Sequence, residues 1–289
     1  MTILEQMLQN YKINTLEDKK NAMKEIMQEI ILAALSKTDF FKYAAFYGGT
    51  ALRLFYGLNR FSEDLDFSLL SPDESFSFDK YIPIIYQVVE SMGLKVEITS
   101  KEKTFDSNIK SAFLKGNSRD QFMISYPDSN QGDQITHNEK IRIKFEVDVV
   151  PPSNAKTELK YRLLPFPYQI RIYDMPSLFA GKIHAVIARG WNNRVKGRDL
   201  FDYIFYLSRN TPVNLIHLES RLKQSKLIKD EDRLTLSTTI EMLAHRFKEI
   251  DYKEAIKDVL PFINDIQSLN LWNAEFFISI SDNLKAQKE

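Results

Sequence analysis

The chain has 289 residues, a formal net charge of zero and no cysteine. This length suits one large domain or two smaller ones, and the absence of cysteine excludes disulfides, thiolate nucleophiles and cysteine-based zinc sites. Zero net charge excludes a polycation, so any nucleic-acid contact has to come from a local patch. No stretch approaches the ~18 uninterrupted apolar residues of a membrane span, which predicts a soluble cytoplasmic protein with no membrane partner.

The N-terminal part of the chain is predicted to mix helices and strands. Asn14 and Thr15 offer a cap, and apolar residues recur after them at helical spacing, so a helix is expected over 15–37. A short apolar run, Tyr43 to Tyr47, stops at two glycines, as in a buried strand that ends in a tight turn. The elements expected next are a helix over 50–56, a strand over 65–70, a helix over 78–92 and a strand over 94–99.

The middle of the chain is polar and rich in turn signals, whereas the C-terminal part is predicted to be helical. Strands are expected near 109–115, 121–125, 141–150 and 168–172, with a loop near 127–138. After Asp174, helices are expected over about 175–189, 197–208, 213–223, 231–248, 252–261 and 272–285. The sequence therefore predicts an α+β fold, with a mixed domain over 1–174 and a helical domain over 175–289.

The turn Gly48-Gly49-Thr50 has the features of a phosphate site. Two glycines at a strand end allow the backbone to approach a ligand closely. The helix that follows presents free amides and a partial positive charge, and Thr50 adds a hydroxyl. We therefore expect Gly48, Gly49 and Thr50 to hold a phosphate group.

Two carboxylates follow this turn on the predicted strand. Asp64 and Asp66 are two residues apart, so both point to one face, while Leu65 and Phe67 point into the core. Such a pair suits Mg²⁺, which takes carboxylate and triphosphate oxygens together, and two such ions stabilise both the attacking and the leaving oxygen. An Asp-X-Asp alone is more often a turn cap; the glycine turn upstream favours the metal site.

These segments resemble the nucleotidyltransferase superfamily and, more narrowly, the AbiEii/AbiGii toxin family, in the stretches Gly48–Leu54 and Arg60–Phe67. The resemblance extends through about residue 208. It implies a nucleotidyltransferase-like mixed sheet with flanking helices, followed by a helical domain that completes the nucleotide site. It also implies Mg²⁺, with two ions, and a nucleoside triphosphate as substrate.

Superfamily members carry a third carboxylate on a later strand, for which Glu146 and Asp148 are the candidates. Alternation places both on one face and cannot separate them. The family pattern of lysine, apolar residue, acid and apolar residue favours Glu146. Lys144 shares this face and is expected either to hold a phosphate or to pair with these acids; a solvent-facing acidic edge is the alternative.

A second group of charged residues lies in the helical domain. Lys182 and Arg189 are seven residues apart, so they share one helical azimuth beside an apolar stripe, either facing a cleft or forming internal ion pairs. From residue 183 to 198 there is no acidic residue, and the basic ones, Arg189, Arg194, Lys196 and Arg198, together with Trp191, suit either phosphate binding or a solvated surface. Asp199 and Asp202 follow at i,i+3 on the next helix.

The AbiEii-like family has matching downstream motifs, a lysine early in a helix and then a basic residue followed by Asp-X-X-Asp. Lys182 and Arg198-Asp199-Leu200-Phe201-Asp202 match them in order. The resemblance implies that Lys182 contacts nucleotide phosphates and that Asp199 supports the site, by orienting that lysine or acting as a base. Arg189, Arg198 and Asp202 are expected to join this nucleotide site. The histidines at 137, 184, 217 and 245 have no metal-ligand spacing and are predicted to be structural or to lie on the surface.

Together these patterns predict a metal-dependent nucleotidyltransferase that moves a nucleoside monophosphate to an acceptor hydroxyl. By resemblance, the acceptor is the 3′ end of a tRNA and the protein is the toxin of a bacterial toxin–antitoxin or phage-defence pair. Its antitoxin is then a separate protein, often a winged-helix repressor. Three alternatives stay open: transfer to a protein or small molecule, nucleotide binding without turnover, and a purely structural role.

Overall fold

The computed structural model describes residues 1–94, 96–101, 109–117, 140–190, 195–263 and 265–288. The strand predicted over 121–125, the loop predicted near 127–138, and His137, Trp191 and Arg194 lie outside the described residues. None of the described helices is long and apolar enough to cross a membrane.

The described strands form one mixed sheet. They are β1 (Ala44–Tyr47), β2 (Asp64–Leu69), β3 (Val96–Lys101), β4 (Ile109–Asn117), β5 (Lys140–Asp148), β6 (Thr157–Arg162) and β7 (Tyr168–Tyr173). Their order in the sheet is β3-β4-β5-β2-β1-β7-β6. β1 pairs antiparallel with β2 and parallel with β7, and β2 pairs parallel with β5, so the predicted α+β class with a mixed sheet is confirmed.

The described helices fall into two groups along the chain. The first group is α1 (Ile3–Leu8), α2 (Leu16–Ser36), α3 (Phe40–Tyr43), α4 (Gly48–Tyr56) and α5 (Ile82–Ser91). The second is α6 (Met175–Ala188), α7 (Gly197–Ser208), α8 (Leu215–Gln224), α9 (Leu236–Phe247), α10 (Tyr252–Val259) and α11 (Ala274–Ser281), with short 3₁₀ turns at Leu260–Phe262 and Gln267–Leu271. The sequence did not predict α1, α3 or β6.

The chain divides into two compact units. The sheet unit contains residues 1–51, 61–151 and 159–172, and the helical unit contains 52–60, 152–158 and 173–289. The chain passes for the last time from the sheet unit to the helical unit at residues 172 and 173, beside the predicted boundary at residue 174. Two earlier segments, 52–60 and 152–158, also belong to the helical unit. Tyr56 shows why, because its hydroxyl oxygen lies 2.6 Å from the carboxylate of Glu158 and 2.9 Å from the carbonyl of Tyr173, both within hydrogen-bond distance.

The core of the sheet unit supports β2 from its apolar face. Helix α2 begins at the capping box of Thr15 and Asp18 and buries most of its length. Phe67 of β2 is fully buried, and its ring lies edge-on to Phe40 with centroids 4.9 Å apart. Because successive strand residues alternate, this packing leaves Asp66 on the opposite face.

The core of the helical unit sets α6 against α7. The rings of Phe179 on α6 and Tyr206 on α7 stack with centroids 4.5 Å apart, and both are buried. Tyr203 extends the contact from α7 to Phe247 on α9. This packing fixes which side chains of α6 and α7 meet.

Candidate active site

Strands β2 and β5 bring the predicted acidic residues to neighbouring positions of one sheet face. In the parallel register, Asp64 lies beside Lys144 and Asp66 beside Glu146. All four are half-buried, and the residues that alternate with them are buried on the other face. Two distant segments of sequence therefore supply one polar surface.

The glycine turn closes directly against Asp66. Gly48 has a φ of +85°, a conformation that side chains with a Cβ rarely adopt. A Cβ built on Gly48 would lie 2.5 Å from Oδ2 of Asp66. Only glycine therefore lets the backbone approach this carboxylate so closely, and the predicted approach of the turn to a phosphate stays a prediction.

Thr50 holds the start of β2 instead of facing outward. Its side chain is fully buried, and its hydroxyl donates to the backbone carbonyl of Asp64 at 2.5 Å. The threonine therefore fixes the backbone of the first carboxylate. Its predicted part in phosphate binding stays a prediction, for which its backbone amide is the better placed group.

The register separates the two candidates for the third carboxylate. Glu146 lies beside Asp66, whereas Asp148 lies beside Ser68, further from the end of β2 that carries Asp64. One oxygen of Asp148 also accepts a hydrogen bond from the amide of Val150 at 3.1 Å, so it caps the strand end. Glu146 is thus the better placed of the two.

Lys144 pairs with the acid beside it. Its Nζ lies 2.5 Å from Oε1 of Glu146. Of its two predicted roles, the structure therefore shows the ion pair with an acid.

The donor set fits a magnesium ion that shares its ligands with a substrate. Among the described residues, no group of three or more Asp, Glu, His or Cys side chains is placed so that it could hold a metal ion. Mg²⁺ is commonly held by one or two carboxylates together with substrate phosphates and water. Asp64 and Asp66, on one rigid strand, are the pair that suits this chemistry.

The helical unit contains a buried charge cluster formed by Arg60, Lys182, Arg189, Asp199 and Asp202. Lys182 Nζ lies 2.7 Å from Asp199 Oδ1 and 2.9 Å from Asp202 Oδ2. Arg60 forms two parallel hydrogen bonds with Asp202, at 2.6 and 2.7 Å. Arg189 Nη2 lies 2.7 Å from Asp199 Oδ2, without the alignment of a hydrogen bond. Lys182 is therefore in the internal ion pairs that were one of its two predicted arrangements.

Burial and charge pairing have opposite effects on the pKa values of Lys182, Asp199 and Asp202. Burial alone disfavours the charge of Lys182, but the carboxylates of Asp199 and Asp202 outweigh it and raise the pKa of the lysine. Burial likewise opposes ionisation of both aspartates, yet the neighbouring cations lower the pKa of each. Three cations face two carboxylates, so the charge cluster has a net charge of +1. Arg189 has the most exposed side chain of the cluster.

Arg198 and Asp202 have partners inside the helical unit. Arg198 Nε lies 3.6 Å from Asp258, and its guanidinium lies 4.1 Å from the centre of the Phe262 ring. Asp202 is completely buried between its two cations. No part of the Asp202 side chain is exposed, so its place in the nucleotide site stays a prediction of an indirect role, through the cations that it holds.

The sequence reasoning gave no role to Arg60, although it stands in the motif that precedes Asp64. It is 4% exposed and is the bidentate partner of Asp202. A single arginine in a loop carries no periodic signal, so its ion pair could not be inferred from spacing.

The described histidines do not join either group of charges. His217 is buried with Nδ1 2.7 Å from the carbonyl of Ser153, and His184 Nε2 lies 2.9 Å from the hydroxyl of Ser225. His245 lies on the surface, with Nδ1 3.6 Å from Glu249. These contacts are structural ones.

One comparison with known proteins identifies the family, and another identifies the fold. A family model described as "Nucleotidyl transferase AbiEii toxin, Type IV TA system" matches residues 30–278. The chain is similar to the crystal structure of a candidate nucleotidyltransferase from H. pylori, at 20% identity and a TM-score of 0.50, covering 90% of this chain and 92% of that one. It is also similar to JHP933 from Helicobacter pylori, at 20% identity and a TM-score of 0.51, covering 91% of each chain. No curated protein matches, and at this identity the two structures show the shared fold alone.

Proposed function

The chain belongs to the AbiEii family of nucleotidyltransferase toxins, and from this premise we propose that it is a Mg²⁺-dependent enzyme that transfers a nucleoside monophosphate from a nucleoside triphosphate to an acceptor hydroxyl. The observation that carries the proposal is the pair Asp64 and Asp66, on one face of β2 and closed on one side by the turn at Gly48. Glu146 is the proposed third ligand because it lies beside Asp66.

The proposed roles follow from the chemistry of each group. Bound Mg²⁺ ions would activate the attacking oxygen and stabilise the leaving pyrophosphate. Asp64, Asp66 and Glu146 would hold these ions. The amides at Gly48 and Gly49, at the start of α4, would donate to a phosphate.

The charge cluster of the helical unit is proposed to bind triphosphate oxygens through Lys182 and Arg189. An ammonium has three N–H donors, and Asp199 and Asp202 orient Lys182 through two of them. The excess positive charge of the cluster favours an anion. Asp199 then supports the lysine, and the raised pKa of Lys182 supports a role as a permanent cation.

The proposed acceptor is the 3′ hydroxyl of a tRNA, in a bacterial cytoplasm, with a separate antitoxin protein. The toxin–antitoxin assignment comes from the family description, and the tRNA acceptor comes from the resemblance of the motifs. A phage-defence role belongs to the same proposal.

The test is transfer of label from each α-labelled NTP in the presence of Mg²⁺ and total tRNA, with Asp66→Asn as the control. This variant keeps the shape of the side chain and removes its charge. Label on RNA that depends on Asp66 and on Mg²⁺ is the expected result. Label on protein would show that the acceptor is a protein and not a tRNA. Saturable NTP binding without transfer would indicate a nucleotide-binding regulator. Absence of both NTP binding and transfer would refute the proposal that the protein is an enzyme.

A further inference from the structure

Arg60 makes a two-point contact with a completely buried carboxylate. Its Nε donates to Asp202 Oδ1 at 2.6 Å and its Nη2 donates to Asp202 Oδ2 at 2.7 Å. Arg60 is 4% exposed and Asp202 is 0% exposed. Paired hydrogen bonds of this kind hold the plane of the carboxylate in one orientation and compensate its negative charge.

The same carboxylate is one of the two that hold the ammonium of Lys182. Asp202 Oδ2 accepts from Arg60 and also lies 2.9 Å from Lys182 Nζ. Asp199 Oδ1 holds the ammonium from its other side at 2.7 Å. Arg60 therefore acts on Lys182 through one shared oxygen atom.

The charge balance shows what Arg60 contributes. Arg60, Lys182 and Arg189 give three positive charges, and Asp199 and Asp202 give two negative ones, so the cluster carries a net charge of +1. Without Arg60, Lys182 and Arg189 would face the two carboxylates with a net charge of zero. The cluster would lose its excess positive charge, and the two acids would cancel the field of its cations on an approaching phosphate.

We infer that Arg60 is a positioning residue for the nucleotide: by neutralising and orienting Asp202, it leaves the positive charge of Lys182 available to the phosphates of the substrate. This inference rests on the proposed function, in which Lys182 binds the triphosphate. Arg60 acts through the carboxylate of Asp202, so it is expected to change the affinity for the substrate and not the bond-making step.

The test is the dissociation constant of a non-hydrolysable NTP analogue with Mg²⁺, measured by calorimetry for the full chain and for Arg60→Met. Loss of a residue that orients a metal ligand typically costs ~10- to 100-fold in metal affinity, and we expect the affinity for the NTP analogue to weaken by a similar factor. Removing the buried charge of the partner as well, in R60M/D202N, leaves two positive charges and one negative charge, which restores the net charge of +1. This double variant is expected to recover most of the affinity, which loss of fold could not produce.

Arg162→Met is the matched control. Arg162 also makes a two-point contact with a buried glutamate, Glu29, in the sheet unit, and it is outside both groups of charges described above. R162M is expected to lower the melting temperature while the dissociation constant stays unchanged. If R60M does not fold, Arg60→Lys decides, because it keeps the charge but cannot bridge both oxygens and is expected to bind less tightly than the wild type.

The outcomes separate the inference from the function on which it rests. A wild-type chain that binds no NTP analogue would refute both. A wild-type chain that binds the analogue, with folded R60M or R60K binding it equally well, would refute the role of Arg60 alone. Weakened binding in R60M without recovery in R60M/D202N would also refute it, because the effect would then not pass through the charge of Asp202.

Discussion

Substitution of Gly48 by alanine tests whether the absence of a side chain at residue 48 is required for the position of the Asp66 carboxylate. The added Cβ would lie 2.5 Å from Oδ2 of Asp66 and 3.2 Å from its Cβ and Cγ. The shorter distance is far below van der Waals contact, and the φ of +85° is unfavourable for alanine as well. The variant therefore combines a backbone penalty with displacement of a proposed metal ligand.

The two effects have different sizes and different readouts. The left-handed backbone costs alanine ~1–2 kcal/mol of folding free energy. To reach ordinary contact at 3.4 Å, the oxygen of Asp66 has to move by 3.4 − 2.5 = 0.9 Å. A shift of about 1 Å in a catalytic group can cost ~100-fold in rate, so G48A is expected to lose activity far beyond its loss of stability.

The assay is the rate of label transfer from an α-labelled NTP per folded molecule, with urea unfolding measured in parallel. Gly57→Ala is the matched control, because Gly57 has a φ of +76° but its added Cβ would meet only Arg209 Nη2 at an ordinary 3.5 Å. G57A is expected to lose ~1–2 kcal/mol and to keep its transfer rate. A G48A variant that transfers label as fast as G57A would show that the position of Asp66 is not required.

Three further substitutions address single contacts. Glu146→Gln is expected to lower the transfer rate ~10- to 100-fold and to raise the Mg²⁺ concentration that half-maximal transfer requires, because Glu146 lies beside Asp66. Asp148→Asn, beside Ser68, should change the rate and the Mg²⁺ requirement little. Equal losses in the two variants would contradict the assignment of the third ligand from the strand register. Thr50→Val removes the donor to the carbonyl of Asp64 and should lower the free energy of unfolding by about 1–3 kcal/mol. A variant of unchanged stability that binds NTP less tightly would instead indicate that the hydroxyl contacts a phosphate. Burial lowers the pKa of His217 to about 4, so between pH 6.5 and 4 the unfolded chain binds a proton that the folded protein does not. Stability should therefore fall as the pH drops through this window, by up to about 3 kcal/mol, and urea unfolding of His217→Gln should show a shallower fall.

Much of the secondary structure could be predicted from local pattern. The helix predicted over 197–208 is α7 with the same bounds, and the helix predicted over 175–189 is α6 to within one residue. Both have amphipathic or buried sequences with clear starts, and periodicity alone carries that information. Strand β6 was missed because its apolar residues Leu159 and Tyr161 are exposed at the edge of the sheet, so no buried run marks it.

The sequence by itself also determined that Asp64 and Asp66 share a face and that a glycine turn stands before them, since strand alternation and glycine chemistry are local. Only the tertiary structure decided which later acid lies beside Asp66, because strand register depends on the pairing of β2 with a segment about 80 residues away. The same holds for the charge cluster. Spacing placed Lys182 on its helix, but the packing of α6 against α7 and the position of Arg60 decided that its ammonium is held between two aspartates.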